Sequence, residues 1–157
     1  MGVLSKYNSL RGMDLGFGSA GELAAKVRGV VTQLTRPAVT ATISISAEGA
    51  TVANQRDITI TLKDRKGNAI AYSEMFEILL FSSSAMTDFV ATGGSTGIAA
   101  GASGKILALV AKKVFRALTT TAGVCQVIYT DTGTDAGYLA VRLPGGQIIA
   151  GGLVTNA

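Results

Sequence analysis

Beyond residue 38 the chain alternates apolar and polar positions with a period of two, the signature of strands with one face buried. Residues 39–46 place Ile43 and Ile45 on one face and Thr42, Ser44 and Ser46 on the other. Residues 57–64 alternate most regularly: Ile58, Ile60 and Leu62 point inward, while Thr59, Thr61 and Lys63 point outward. Asp64-Arg-Lys-Gly-Asn68 reads as a turn, with Gly67-Asn68 supplying the positive φ of a tight reversal. Between these two strands, Thr51-Val-Ala continues the strand pattern briefly.

Residues 74–82 break the alternation. Phe76, Ile78 and Leu80 share one face, and Met75, Leu79 and Phe81 share the other, with Glu77 as the one polar residue among them. Such a stretch predicts a strand at the centre of a sheet or at a subunit contact. Turn residues before it and serines after it favour strand over helix. Residues 82–104 are rich in Ser, Thr, Gly and Ala. A structureless loop of that length is unusual in a compact domain, so short strands are expected near 88–91 and 97–100.

Further strands are expected at 106–111 and 113–118. The last stretch, from Gly123, contains three apolar runs separated by turn residues and reads as a β-meander, with Asp131 and Asp135 flanking a hairpin loop. Leu139, Val141 and Leu143 share a face opposite Tyr138, Ala140 and Arg142. Pro144-Gly-Gly146 turns the chain into a final strand over 147–153, followed by a short tail. The sum is about seven to nine strands, the form of an all-β, two-sheet antiparallel sandwich over residues 37–157.

Residues 1–36 lack this pattern. Ser19 and Glu22 form a capping box before Leu23, Ala24, Ala25, Lys26 and Val27, so one short helix is expected there, ended by Arg28-Gly29. Residues 30–35 have strand character up to Arg36-Pro37. The segment is read as an N-terminal arm that orders against a partner. Its apolar residues Leu4, Tyr7, Leu10, Met13, Leu15, Phe17, Leu23 and Val27 are the candidate partner-binding positions.

Composition changes the picture in two ways. Of the 157 residues, 15% are charged and 48% are hydrophobic, with no Trp. Either partners cover much of the surface, or Ala and Gly inflate the hydropathy. The chain also contains no histidine. This removes the Ser-His-Asp triad, the usual zinc sites and the customary base for a cysteine nucleophile. The lone Cys125 sits in a strand-like run and reads as a buried thiol.

Other chemistry fares no better. Gly16-Phe-Gly18-Ser-Ala-Gly21 matches a dinucleotide fingerprint, but no apolar strand leads into it and no acid follows at the required distance. Gly101-Ala-Ser-Gly104-Lys105 lacks the first glycine and the terminal Ser or Thr of a phosphate loop. Glu74 and Glu77 point to opposite faces of a strand. Asp131 and Asp135 suit either a calcium loop or a plain turn. The net charge of +4 lies in small groups, Lys63-Arg65-Lys66 and Lys112-Lys113-Arg116, without the dense basic and aromatic runs of nucleic-acid binders. No apolar run reaches the roughly 18 residues of a membrane helix, and residues 1–6 have no apolar signal core. Neither a cofactor nor a small-molecule substrate is implied, and the residues do not point to an enzyme.

Three stretches carry a family resemblance. They are Ile58-Thr-Ile-Thr-Leu-Lys-Asp-Arg-Lys-Gly-Asn-Ala-Ile-Ala, then Ile78-Leu-Leu-Phe-Ser, then residues 128–146 from Ile-Tyr-Thr-Asp to Leu-Pro-Gly-Gly. Together with Gly29-Val-Val-Thr-Gln-Leu-Thr35, this part of the chain resembles virion proteins of tailed bacteriophages that carry an immunoglobulin-like sandwich. The resemblance spans roughly residues 30–157. It implies a capsid decoration (cement) protein, made in the host cytoplasm and placed on the capsid surface of the virion. The implied partners are the major capsid protein and further copies of the chain, a trimer above all. The alternative within the same group is a tail or fibre adhesin, for which Phe89 and Tyr138 are the aromatic residues near loop tips. No catalytic residue comes with the resemblance.

Overall fold

A computed structural model of the chain describes residues 38–156. The expected arm over 1–36, its short helix, the 30–35 strand and the eight candidate partner-binding positions from Leu4 to Val27 lie outside the described residues.

Nine strands form two antiparallel sheets, with no helix among the described residues. They are β1 (Thr40–Ile45), β2 (Gln55–Lys63), β3 (Met75–Phe81), β4 (Gly97–Ala100), β5 (Lys105–Val110), β6 (Val114–Leu118), β7 (Val124–Thr130), β8 (Ala136–Arg142) and β9 (Ile148–Thr155). One sheet has the order β1-β2-β7-β4 and the other β5-β6-β3-β8-β9.

The alternating residues do what their period requires. Ile58, Ile60 and Leu62 of β2 are buried against Ile78 and Leu80 of β3, Val127 and Tyr129 of β7, and Leu139 and Val141 of β8. Both sheets thus share one core. Each fully buried Ile or Leu contributes about 1.5–3 kcal/mol through apolar area removed from water. β3, apolar on both faces, is the central strand of the five, with β6 on one side and β8 on the other.

The structure corrects the closing meander. β7 pairs with β2 and β4, whereas β8 and β9 belong to the other sheet. The Asp131 to Asp135 segment is therefore a crossing between sheets rather than a hairpin loop. Polar bonds explain why the chain crosses there. Asp131 is only 2% exposed. Its Oδ1 accepts hydrogen bonds from the backbone N–H of Ser95 (2.8 Å) and Gly133 (3.2 Å), and its Oδ2 from that of Asp135 (2.9 Å). A carboxylate with three N–H donors ties the crossing to the segment before β4.

Asn156 fastens the same end. Its Nδ2 donates to the carbonyls of Asn54 (2.6 Å) and Asp131 (2.9 Å). Arg56 Nε donates to Thr155 O (2.6 Å), and its Nη1 donates to Ser46 O (2.9 Å). This clasp carries β9 to Thr155, past the expected end at Leu153, and buries Val154. No buried side-chain nitrogen or oxygen among the described residues is left without a partner.

Three smaller expectations also change. Residues 51–53 form a bend, and β2 instead begins at Gln55, after Asn54 turns with φ 59°. Residues 88–91 form a single bridge, Phe81 to Phe89, instead of a strand. In the turn after β2, Gly67 alone takes the positive φ, at 85°, while Asp64 Oδ1 accepts the N–H groups of Lys66 and Asn68.

The core predicts an alkaline weakness. Burial pushes the Tyr129 hydroxyl up to about 12, helped by the nearby carboxylates of Asp131 and Asp135, and burial pushes the Cys125 thiol up to about 11. Both groups stay protonated in the folded state at a pH where the unfolded chain would release the proton. Their stabilisation is complete below their ordinary values of 9.0 and 10.0, and it is lost as pH rises through the folded ones. Urea unfolding should therefore show stability falling between pH 9.0 and about 12, and Tyr129→Phe should flatten the part above 10.0.

Candidate interaction face

The two outer faces of the sandwich differ in kind. On the β1-β2-β7-β4 sheet, register puts Thr40, Thr42 and Ser44 beside Lys63, Thr61 and Thr59, and Thr59 beside Gln126. Polar side chains prevail on that face, with Asp57 and the half-buried Val124 and Ile128 among them.

On the other sheet the outward residues form rows across the strands. The first row runs Lys105, Leu118, Met75. The second runs Leu107, Arg116, Glu77, Arg142, Ile148. The third runs Val110, Val114, Leu79, Ala140, Ala150, and the last joins Phe81, Tyr138 and Leu153. Leu107 is 64% exposed, Met75 60% and Val110 50%, and Leu118, Ile148 and Leu153 are also open to water. Exposed apolar side chains on four of its five strands make this face the candidate contact surface.

A second hydrophobic cluster lies within this face. Leu79, Phe81 and Ala140 are buried there, with Met86, Val114 and Tyr138 packed against them. The loop after β3 folds back to supply Met86, which takes a positive φ of 54°. Ser82 N donates to Asp88 O at 2.8 Å and closes that loop. Phe89 then stacks on Phe81, with ring centroids 5.1 Å apart and planes at 8°.

One charged group interrupts the apolar rows. Glu77 stands directly between Arg116 on β6 and Arg142 on β8. Its Oε1 accepts from Arg116 Nη2 at 3.3 Å and its Oε2 from Arg142 Nη2 at 2.7 Å. Both arginine side chains are half exposed, so each pair contributes only about 1 kcal/mol or less. The group leaves one excess positive charge on the face.

The expected site residues separate. Glu74 Oε2 accepts the backbone N–H of Ala38 at 2.7 Å, whereas Glu77 belongs to the arginine row. Both carboxylate oxygens of Asp131 are held by backbone N–H groups, and Asp135 Oδ2 accepts the Thr92 hydroxyl at 2.5 Å. These two acids serve the crossing between sheets. Cys125 is fully buried, and its thiol is shifted away from thiolate formation. Lys112 Nζ donates to the carbonyls of Gly94 (3.0 Å) and Ser95 (2.6 Å), so this part of the second basic group pins the approach to β4.

The exposed rows are what sequence reasoning missed as a site. Their signal is the doubly apolar β3, together with a run over 106–111 that has no polar residue. No protein-family model matches the chain, and no curated protein sequence matches it.

The buried cluster, rather than the ion row, holds this face together. Leu79→Ala should cost about 2–5 kcal/mol in urea unfolding. Glu77→Gln should cost about 1 kcal/mol, and this loss should shrink in 1 M salt, where exposed charges are screened.

Proposed function

We propose that the chain is a structural protein of a bacteriophage virion. In this reading an immunoglobulin-like sandwich decorates the capsid surface and stabilises the head by non-covalent contacts, without catalysis. The observation that carries the reading is the apolar outer face of the β5-β6-β3-β8-β9 sheet. Burial of that face against a capsid subunit would remove Met75, Leu118, Ile148 and Leu153 from water. A chain with only 15% charged residues fits a protein whose working state is an assembly. The resemblance to phage virion proteins points the same way and supplies the partner, the major capsid protein. The apolar residues of the arm, from Leu4 to Val27, are proposed as a second contact with it.

The adhesin alternative draws less support. Phe89 stacks on Phe81 but stays 46% exposed, and Tyr138 packs into the outer-face cluster, so only one of the two aromatics is left open to a host-surface ligand.

The reading is tested by co-sedimentation of the full chain with purified capsids. The chain should bind and raise the temperature at which the particle opens. The double variant Ile148→Asp and Leu153→Asp, at two exposed positions, should bind roughly tenfold more weakly, which corresponds to a loss of about 1.4 kcal/mol. Retention on host cells without affinity for capsids would overturn the decoration role and favour the adhesin.

A further inference from the structure

The β5 edge stands apart from the other three sheet edges. β1 presents Thr40, Thr42 and Ser44 outward, and β4 is only four residues long. β9 is closed against the opposite sheet, where Gly151 lies under Ile43 and Arg56 grips Thr155 O. Among the described strands β5 pairs with β6 alone, and every residue from Leu107 to Val110 is exposed. Native edge strands are normally guarded by proline, by charge or by a bulge. β5 has no proline, and its one charge, Lys105, stands at its first position. A bulge falls between Ala108 and Val110 and leaves Lys105 to Ala108 regular.

We propose that this edge pairs with β5 of a second copy of the chain, antiparallel and two-fold, so that one sheet runs continuously through both copies. Directly opposed residues of an antiparallel pair share a face, so only an even register keeps the two outer faces together. Centring the pair on Leu107 uses the regular part of the strand. Leu107 then meets the second copy's Leu107 and Ile106 meets Ala108, while Lys105 lies opposite Leu109 at the bulge that ends the regular ladder. The charges argue for a self-pairing edge. The two lysines fall at opposite ends of the ladder. In the row of Leu107, the leucine pair separates the two Arg116 side chains by three strand spacings, about 14 Å at ~4.8 Å each. No like charges meet, and every other opposed pair is apolar. This contact closes at two copies, unlike the three-fold assembly that the phage resemblance implies, and it stands whether or not the virion role does.

Cysteine crosslinking in the full chain tests the pairing. Opposed Cα atoms in such a ladder lie about 4.5–5.5 Å apart, within the roughly 4.4–6.8 Å span of a disulfide. Leu107→Cys should therefore give a covalent dimer under mild oxidation. Ile148→Cys, also exposed but on the far edge strand, should not, and the buried Cys125 should take no part. In sedimentation velocity the unmodified chain should run as a dimer. Leu107→Lys, which sets two ammonium groups opposite each other, should weaken the dimer roughly tenfold or more with an unchanged circular dichroism spectrum. Sedimentation as a monomer or a trimer, or crosslinking of Ile148→Cys as complete as that of Leu107→Cys, would overturn the proposal.

Discussion

A strand that is apolar on both faces must be covered on both sides, and β3 sets this demand for the molecule. Its inner residues Phe76, Ile78 and Leu80 are met by the opposite sheet in the shared core. Its outer residues are met unevenly. Leu79 and Phe81 are sheltered by Met86, Val114, Tyr138 and the stacked ring of Phe89, while Met75 at the other end stays in water. Glu77, midway, is shared by two arginines from the neighbouring strands. The fold satisfies the inner face by itself. The outer face is finished at one end only, and its unfinished part is the candidate contact surface.

Polar contacts elsewhere fix the strands that carry that face. The clasp of Asp131, Asn156, Asn54 and Arg56 locks the crossing from one sheet to the other, so β8 and β9 join the sheet of β3. Lys112, at the turn between β5 and β6, reaches back to Gly94 and Ser95 and anchors the route into β4. The outer face of the other sheet is the more polar of the two, with Thr, Ser, Gln, Lys63 and Asp57 beside the half-buried Val124 and Ile128. The proposed assembly role rests on that asymmetry.

Much of the fold was legible from period-two alternation. Ile58, Ile60 and Leu62 were placed inward and are fully buried; the strand at 97–100 was also read from the sequence, and of the two places expected for β3, sheet centre or subunit contact, the structure shows the first. The crossing at Asp131 was not legible. A short acidic and glycine-rich segment between two apolar runs looks the same whether it closes a hairpin or changes sheets. The difference lies in bonds to Ser95 and Asn156, which are remote in sequence. The interaction face was half legible. The doubly apolar β3 marked it, but the rows that build it draw Leu107, Arg116, Arg142 and Ile148 from four further strands, and strand order cannot be read from alternation. The bond between Glu77 and its arginines has the same origin, since it depends on which strands flank β3.

Hydroxyl-radical footprinting of the full chain, free and bound to purified capsids, tests the central claim most directly. The account predicts that binding protects Met75, Leu118, Ile148 and Leu153, while Thr42, Thr61 and Gln126 on the polar sheet keep their labelling. Protection of the polar sheet instead, or labelling of Met75 and Leu153 that binding leaves unchanged, would contradict it.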